Sequence, residues 1–180
     1  MTCYGDARTM SRAACICLGA LLMLGCSGDG QVTAPPGGSF QARLSGARTA
    51  TLSGPSNAGA FFDEASPEAP FAIRMYAEQG DTVRRILIDC PRLTPPAPGT
   101  LRVSGAPGEC QARYSRLVFT QGADIIVLEQ ALASSGSATI TASDPGQLSG
   151  VFSFTGRLVV GADSLGTITA SGGFNAIIVG

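Results

Sequence analysis

From Ser39 onward the sequence repeats one device: short runs in which apolar and polar residues alternate, interrupted by glycine, proline and small polar residues. A pleated strand sends successive side chains to opposite faces, so such runs read as strands with one face buried and one solvated. In SFQARLSG, Phe40, Ala42 and Leu44 oppose Gln41, Arg43 and Ser45. FAIRMYA sets Phe71, Ile73, Met75 and Ala77 against Arg74 and Tyr76, and GSATITASD sets Ala138, Ile140 and Ala142 against Thr139, Thr141 and Ser143. LSGVFSFTG aligns Leu148, Phe152 and Phe154 opposite Val151, Ser153 and Thr155. Asp144, Pro145 and Gly146 between the last two runs are turn chemistry, which predicts a hairpin over 137–156. Further strands are predicted at 48–53, 83–89, 111–121, 124–130, 164–170 and 173–179, nine or ten in all, joined at NAG, QGD, QGA, DPG and SGG turns. With 24 Gly and 11 Pro in 180 residues, long helices are disfavoured. Only DIIVLEQALASS, with Ile126, Leu128 and Leu132, also fits a helix. The expected fold is therefore all-β, an antiparallel β-sandwich or a flattened barrel. Its outward positions hold Arg, Gln, Ser and Thr, the wrong side chains for a barrel wall that faces lipid.

Upstream, Ala13 to Leu24 form an uncharged apolar run of 12 residues, preceded by Arg8 and Arg12 and followed by Gly25, Cys26, Ser27 and Gly28. A membrane span needs about 20 apolar residues, so the layout predicts a cleavable signal peptide over 1–25. Met10 opens a compact cationic head and stands as an alternative start to Met1. The end of the run, LLMLGC, resembles the lipobox of bacterial lipoproteins, with Met23 where that pattern more often has Leu. The resemblance implies that Gly25 permits the cut and that Cys26 carries the lipid. Ser27, in place of Asp, implies an outer-membrane destination over the inner one. One acyl chain binds a membrane marginally, whereas two or three hold a protein durably. SGDGQVTAPPGGS then reads as a tether over 26–38, and the folded domain as 39–180.

Of six cysteines, Cys3, Cys15 and Cys17 fall in the leader and Cys26 takes the lipid, which leaves Cys90 and Cys110. Two thiols in an oxidising compartment predict one disulfide, the alternative being two separately buried thiols. The enclosed segment is dense in Pro and Gly and reads as a long surface loop with a short strand at 100–103.

The last third also resembles an uncharacterised type of domain in bacterial secreted and lipid-anchored proteins. Those domains end on an ATIT-like strand, an acidic turn, a G-x-F-x-F-T strand, a threonine-rich strand and G-x-F. The matching residues are Ala138, Ile140 and Thr141, then Asp144, then Gly150, Phe152, Phe154 and Thr155, then Thr167, Ile168, Thr169, Gly173 and Phe174. The opening FQARLSGA is similar to the first strand of such domains. The resemblance implies a β-sandwich fold and carries no activity, cofactor or site residue with it.

Catalytic chemistry has few carriers here. The sequence contains no His, Lys or Trp, so a serine nucleophile lacks its usual base, and a zinc site lacks ligands beyond its cysteines. Net charge is −1, without the basic excess that nucleic acid requires. Asp63, Glu64 and Glu68 crowd one stretch beside Phe61 and Phe62, yet no calcium-loop spacing accompanies them, and a solvated acidic loop is the expected reading. Of the two phenylalanines, one faces outward, either exposed as a binding patch or covered by the loop. Arg74, Arg84, Arg85, Arg113 and Arg116 would form a cationic face if their strands were neighbours; scattered ion pairs with Asp and Glu are the expected alternative. The function expected is a non-catalytic envelope module, without cofactor or metal, that binds or braces an envelope component. The alternative is an inhibitor or assembly factor that presents the Cys90 to Cys110 loop to a protein partner.

Overall fold

The computed structural model describes residues 35–60, 71–120 and 124–179. Contacts divide the chain into residues 1–30 and 31–180, and all described residues belong to the second unit. The described residues form nine strands: β1 (Ser39–Gly46), β2 (Ala50–Ala60), β3 (Phe71–Gln79), β4 (Thr82–Cys90), β5 (Gly99–Arg102), β6 (Gln111–Phe119), β7 (Ile125–Asp144), β8 (Gln147–Val160) and β9 (Asp163–Ile178).

Sheet order runs β1, β2, β3, β4, β6, β7, β8, β9, each strand antiparallel to the next, and β9 pairs back onto β1 with Phe40 opposite Phe174 and Leu44 opposite Ala170. The result is a closed, eight-stranded, up-and-down barrel with β5 as a ninth strand outside the meander. The all-β, antiparallel expectation holds. Of the two architectures expected, the barrel is the one formed and not the two-sheet sandwich, because the first and last strands pair with each other. The strands are also longer than expected. Residues 125–130 and the ATIT segment belong to one 20-residue strand, β7, so the helical alternative for DIIVLEQALASS fails. The SGG at 171–173 lies inside β9, and the NAG at 57–59 inside β2, where turns were predicted. Two-residue turns at Pro145–Gly146 and Gly80–Asp81 fall where expected.

Alternation fills the barrel. Phe40, Ala42 and Leu44 of β1, Ile73 and Met75 of β3, Ile86 and Ile88 of β4, and Leu148, Phe152, Phe154 and Leu158 of β8 are all buried, with Phe174 facing them from β9. Phe152 and Phe154 stack with ring centroids 6.2 Å apart. On the outward positions, Gln41 and Arg43 of β1 and Ser153 and Arg157 of β8 are exposed, and Ser149, Val151 and Thr155 are half-buried. An interior packed with apolar side chains is the reverse of the polar lumen of a membrane-spanning barrel.

The two barrel ends are built differently. At the near end the chain enters β1, β4 connects to β6, and β7 turns into β8. There β6 covers the edge of β7 only over Ile125 to Leu132, and β5 takes over that edge opposite Ser137 to Ile140. Cys90 at the end of β4 and Cys110 ahead of β6 are disulfide-bonded, with Cα atoms 4.2 Å apart, and tie this excursion to the wall. At the far end the strands return through the β1–β2, β3–β4, β6–β7 and β8–β9 connections.

One seam is incomplete. β2 pairs with β3 only from Ser56 to Ala60, whereas Tyr76 to Gln79 of β3 pair with β4 alone. At Gly54 an added Cβ would overlap the Tyr76 carbonyl oxygen, so only glycine lets β3 pass this close before the strands part.

Candidate functional site at the far barrel mouth

Three strands place charged residues on the apolar, inward face. On β4, Arg84 is in phase with Ile86 and Ile88; on β6, Arg116 is in phase with Ala112 and Tyr114; on β7, Glu129 is in phase with Ala131 and Ala133. Register then brings them together, since Arg84 lies opposite Arg116 and Arg116 opposite Glu129. From the β1–β2 turn across the mouth, Arg48 reaches the same carboxylate.

Glu129 is wholly buried. Its Oε2 accepts a hydrogen bond from Arg48 Nη2 at 2.6 Å, its Oε1 accepts one from the Tyr114 hydroxyl at 2.9 Å, and Arg116 Nε stands 3.6 Å away as an ion pair. A carboxylate removed from water needs such partners, because an uncompensated buried charge costs several kcal/mol. Burial pushes the Tyr114 phenol well above its usual range, and the hydrogen bond to Glu129 adds to that shift. The phenol therefore stays protonated and donates.

The charges do not cancel. Three guanidiniums face the one buried carboxylate, and with the exposed Glu78 also lining the cavity beside Arg84 the mouth keeps one positive charge in excess. Arg48 and Arg116 are taken by Glu129. Arg84, set beside Arg116 where like charges repel, makes no ion pair or hydrogen bond among the described residues, and its Nε is buried without a partner. Arg84 lines a cavity of about 120 Å³ where β2 and β3 part, between Thr51–Ser53 on one side and Ala77–Gln79 on the other. A guanidinium fork with free donors suits a carboxylate or phosphate oxygen. Thr51 and Ser53 add hydroxyls to the rim.

The expected cationic face is divided between the two sides of the wall. Arg84 and Arg116 point inward, whereas Arg74, Arg85 and Arg113 lie on outward positions of their strands. Glu129 and Arg48 were not among the candidates. For Glu129 the sequence holds a signal, a lone charge in phase with two alanines; Arg48 sits in a turn and holds none. Cys90 and Cys110 are joined as predicted. Cys26, Phe61, Phe62, Asp63, Glu64 and Glu68 lie outside the described residues. Among the described residues no group of three His, Cys, Asp or Glu side chains converges on a metal position. Comparison of the chain with known protein families, with curated proteins and with solved structures finds no match.

Proposed function

We propose that the protein is a lipid-anchored module of the cell envelope that binds, without catalysis, a small anionic group at the far mouth of its barrel. The observation that carries the binding role is Arg84: a guanidinium on the inward face, unpaired, opening onto the cavity between β2 and β3. A bare cation beside a second guanidinium is unfavourable unless an anion completes it. The anchor rests on the apolar run before Cys26 and its LLMLGC ending, and the outer-membrane destination on Ser27. The test is titration of the protein with inorganic phosphate and with succinate, followed through the Nε–H resonances of its arginines. Saturable shifts of Arg84 that vanish in Arg84→Gln, and persist in an Arg102→Gln control, support the reading. Identical titrations of the wild type and Arg84→Gln overturn it. The anchor has its own test: fatty-acid labelling that survives in Cys26→Ser removes the lipobox reading.

A second reading is favoured by Leu93, 64% exposed on the disulfide-closed segment, which would present that loop to a protein partner. Capture of one envelope protein that is lost when the 91–98 segment is shortened, but kept in Arg84→Gln, selects this reading over the first.

A further inference from the structure

The outer face of β6, β7 and β8 carries a feature that the mouth does not use. Register sets Arg113, Leu132 and Arg157 side by side across the three strands. Between the two guanidiniums runs a groove of about 410 Å³, floored by Leu132 and Val159. Leu132 is 51% exposed, and the apolar character continues along the same outward face to Val127 and Phe119, 49% and 54% exposed. The outward face of β1, by contrast, is polar, with Gln41, Arg43 and Ser45. Gln130 also lines the groove and separates Leu132 from Val127 along β7, so the apolar positions form two neighbouring patches; exposed apolar patches of this kind mark an interaction surface.

Charge selects the occupant. Arg113 makes no hydrogen bond or ion pair among the described residues, and Arg157 Nε donates only to the Ser164 hydroxyl at 2.6 Å. A second copy packed face to face would bring four guanidiniums together, so self-association is disfavoured by like charge. What complements two cations beside these apolar patches is a molecule with an anionic head and an apolar tail. We infer that this face binds a single-chain anionic amphiphile, its phosphate or carboxylate held between Arg113 and Arg157 and its acyl chain laid over Leu132 and Val159 toward Val127. Arg suits the head because its planar fork donates two parallel hydrogen bonds to such groups. The site lies outside the barrel and is independent of the anion site at Arg84.

The experiment titrates the full chain with dodecyl phosphate below its critical micelle concentration, reading the arginine Nε–H and the Leu132 and Val159 methyl resonances. Dodecyl maltoside supplies the tail without the charge, and inorganic phosphate supplies the head without the tail. The expected result is saturable shifts at all four residues with dodecyl phosphate, and at least tenfold weaker binding of either half-probe. Arg113→Gln with Arg157→Gln should weaken dodecyl phosphate binding at least tenfold, Leu132→Asp should do likewise, and Arg84→Gln should leave it unchanged. Equal affinity for dodecyl phosphate and dodecyl maltoside overturns the inference, as does loss of binding in Arg84→Gln. Shifts seen only with phosphatidylglycerol vesicles, and not with monomeric amphiphile, also overturn it, in favour of a membrane surface.

Discussion

The two ends of this barrel enclose their interiors by opposite means. Toward the near end the inward positions are aromatic and aliphatic, with Phe40, Phe71, Phe152 and Phe174 buried, and a disulfide pins the wall outside them. Toward the far end the same inward phase carries Arg84, Arg116 and Glu129, with Arg48 reaching in from a turn. Apolar packing is non-directional and repays burial by area, so the near end needs only shape. A buried charge cluster repays its desolvation only through specific partners, and this one is left with a guanidinium unpaired. The near end is thus closed by packing, whereas the far end keeps a positive excess, the feature on which the proposed anion site rests.

Four measurements test that contrast. The largest effect is expected in the apolar interior: Phe154→Ala should cost about 3 to 5 kcal/mol in denaturant titration. Thr155→Ala, on the opposite face of the same strand, should cost less than about 1 kcal/mol. Equal effects would mean that β8 is buried on both sides.

Reduction of the Cys90 to Cys110 bond should cost about 3 kcal/mol by the loop-closure argument and lower the melting temperature while leaving the β-rich circular dichroism spectrum intact. Two alkylatable thiols in the unreduced protein would dismiss the bond altogether.

At the far end, Glu129→Ala removes the shared partner of Arg48, Arg116 and Tyr114. Both guanidinium side chains are about a third exposed and can turn to water, so the expected loss is about 2 kcal/mol, below that for breaking a fully enclosed pair. A loss as large as that of Phe154→Ala would place the polar mouth on a par with the apolar core.

The smallest effect is a signature in pH. The folded protein holds the Tyr114 proton more tightly than the unfolded chain, whose phenol titrates near about pH 10. The stability contributed by the neutral phenol is present below that pH and declines as pH rises above it, because the unfolded state then releases a proton that the folded state keeps. Tyr114→Phe should flatten that decline at a cost near about 1 kcal/mol at neutral pH. An unchanged slope above pH 10 would show that Tyr114 is not the group responsible.

Much of the near end was legible in the sequence. The faces of β1, β3 and β8 follow from alternation, the Asp144–Pro145–Gly146 turn from residue type, and the cysteine pair from the count that remains once the expected leader and Cys26 are set aside. The far end was legible only in fragments. Arg84, Arg116 and Glu129 each stand in phase with buried neighbours, yet a charge on an apolar phase reads equally as a strand end emerging into water. Only the pairing of β4 with β6 and of β6 with β7 turns the three into one cluster.

Alternation is local, a consequence of the two-residue pleat, and the sequence by itself therefore determined the strand character, the inward faces and the all-β class. Closure is not local. Whether β9 returns to β1, where β2 and β3 separate, and that β5 continues the edge β6 leaves are set by backbone hydrogen bonds between residues as far apart as Phe40 and Phe174. Such pairings are decided by the joint fit of all the strands, and no short stretch of sequence encodes them. The tertiary structure alone thus chose a barrel over a sandwich, and with it placed the charges of three strands and one turn around a single mouth.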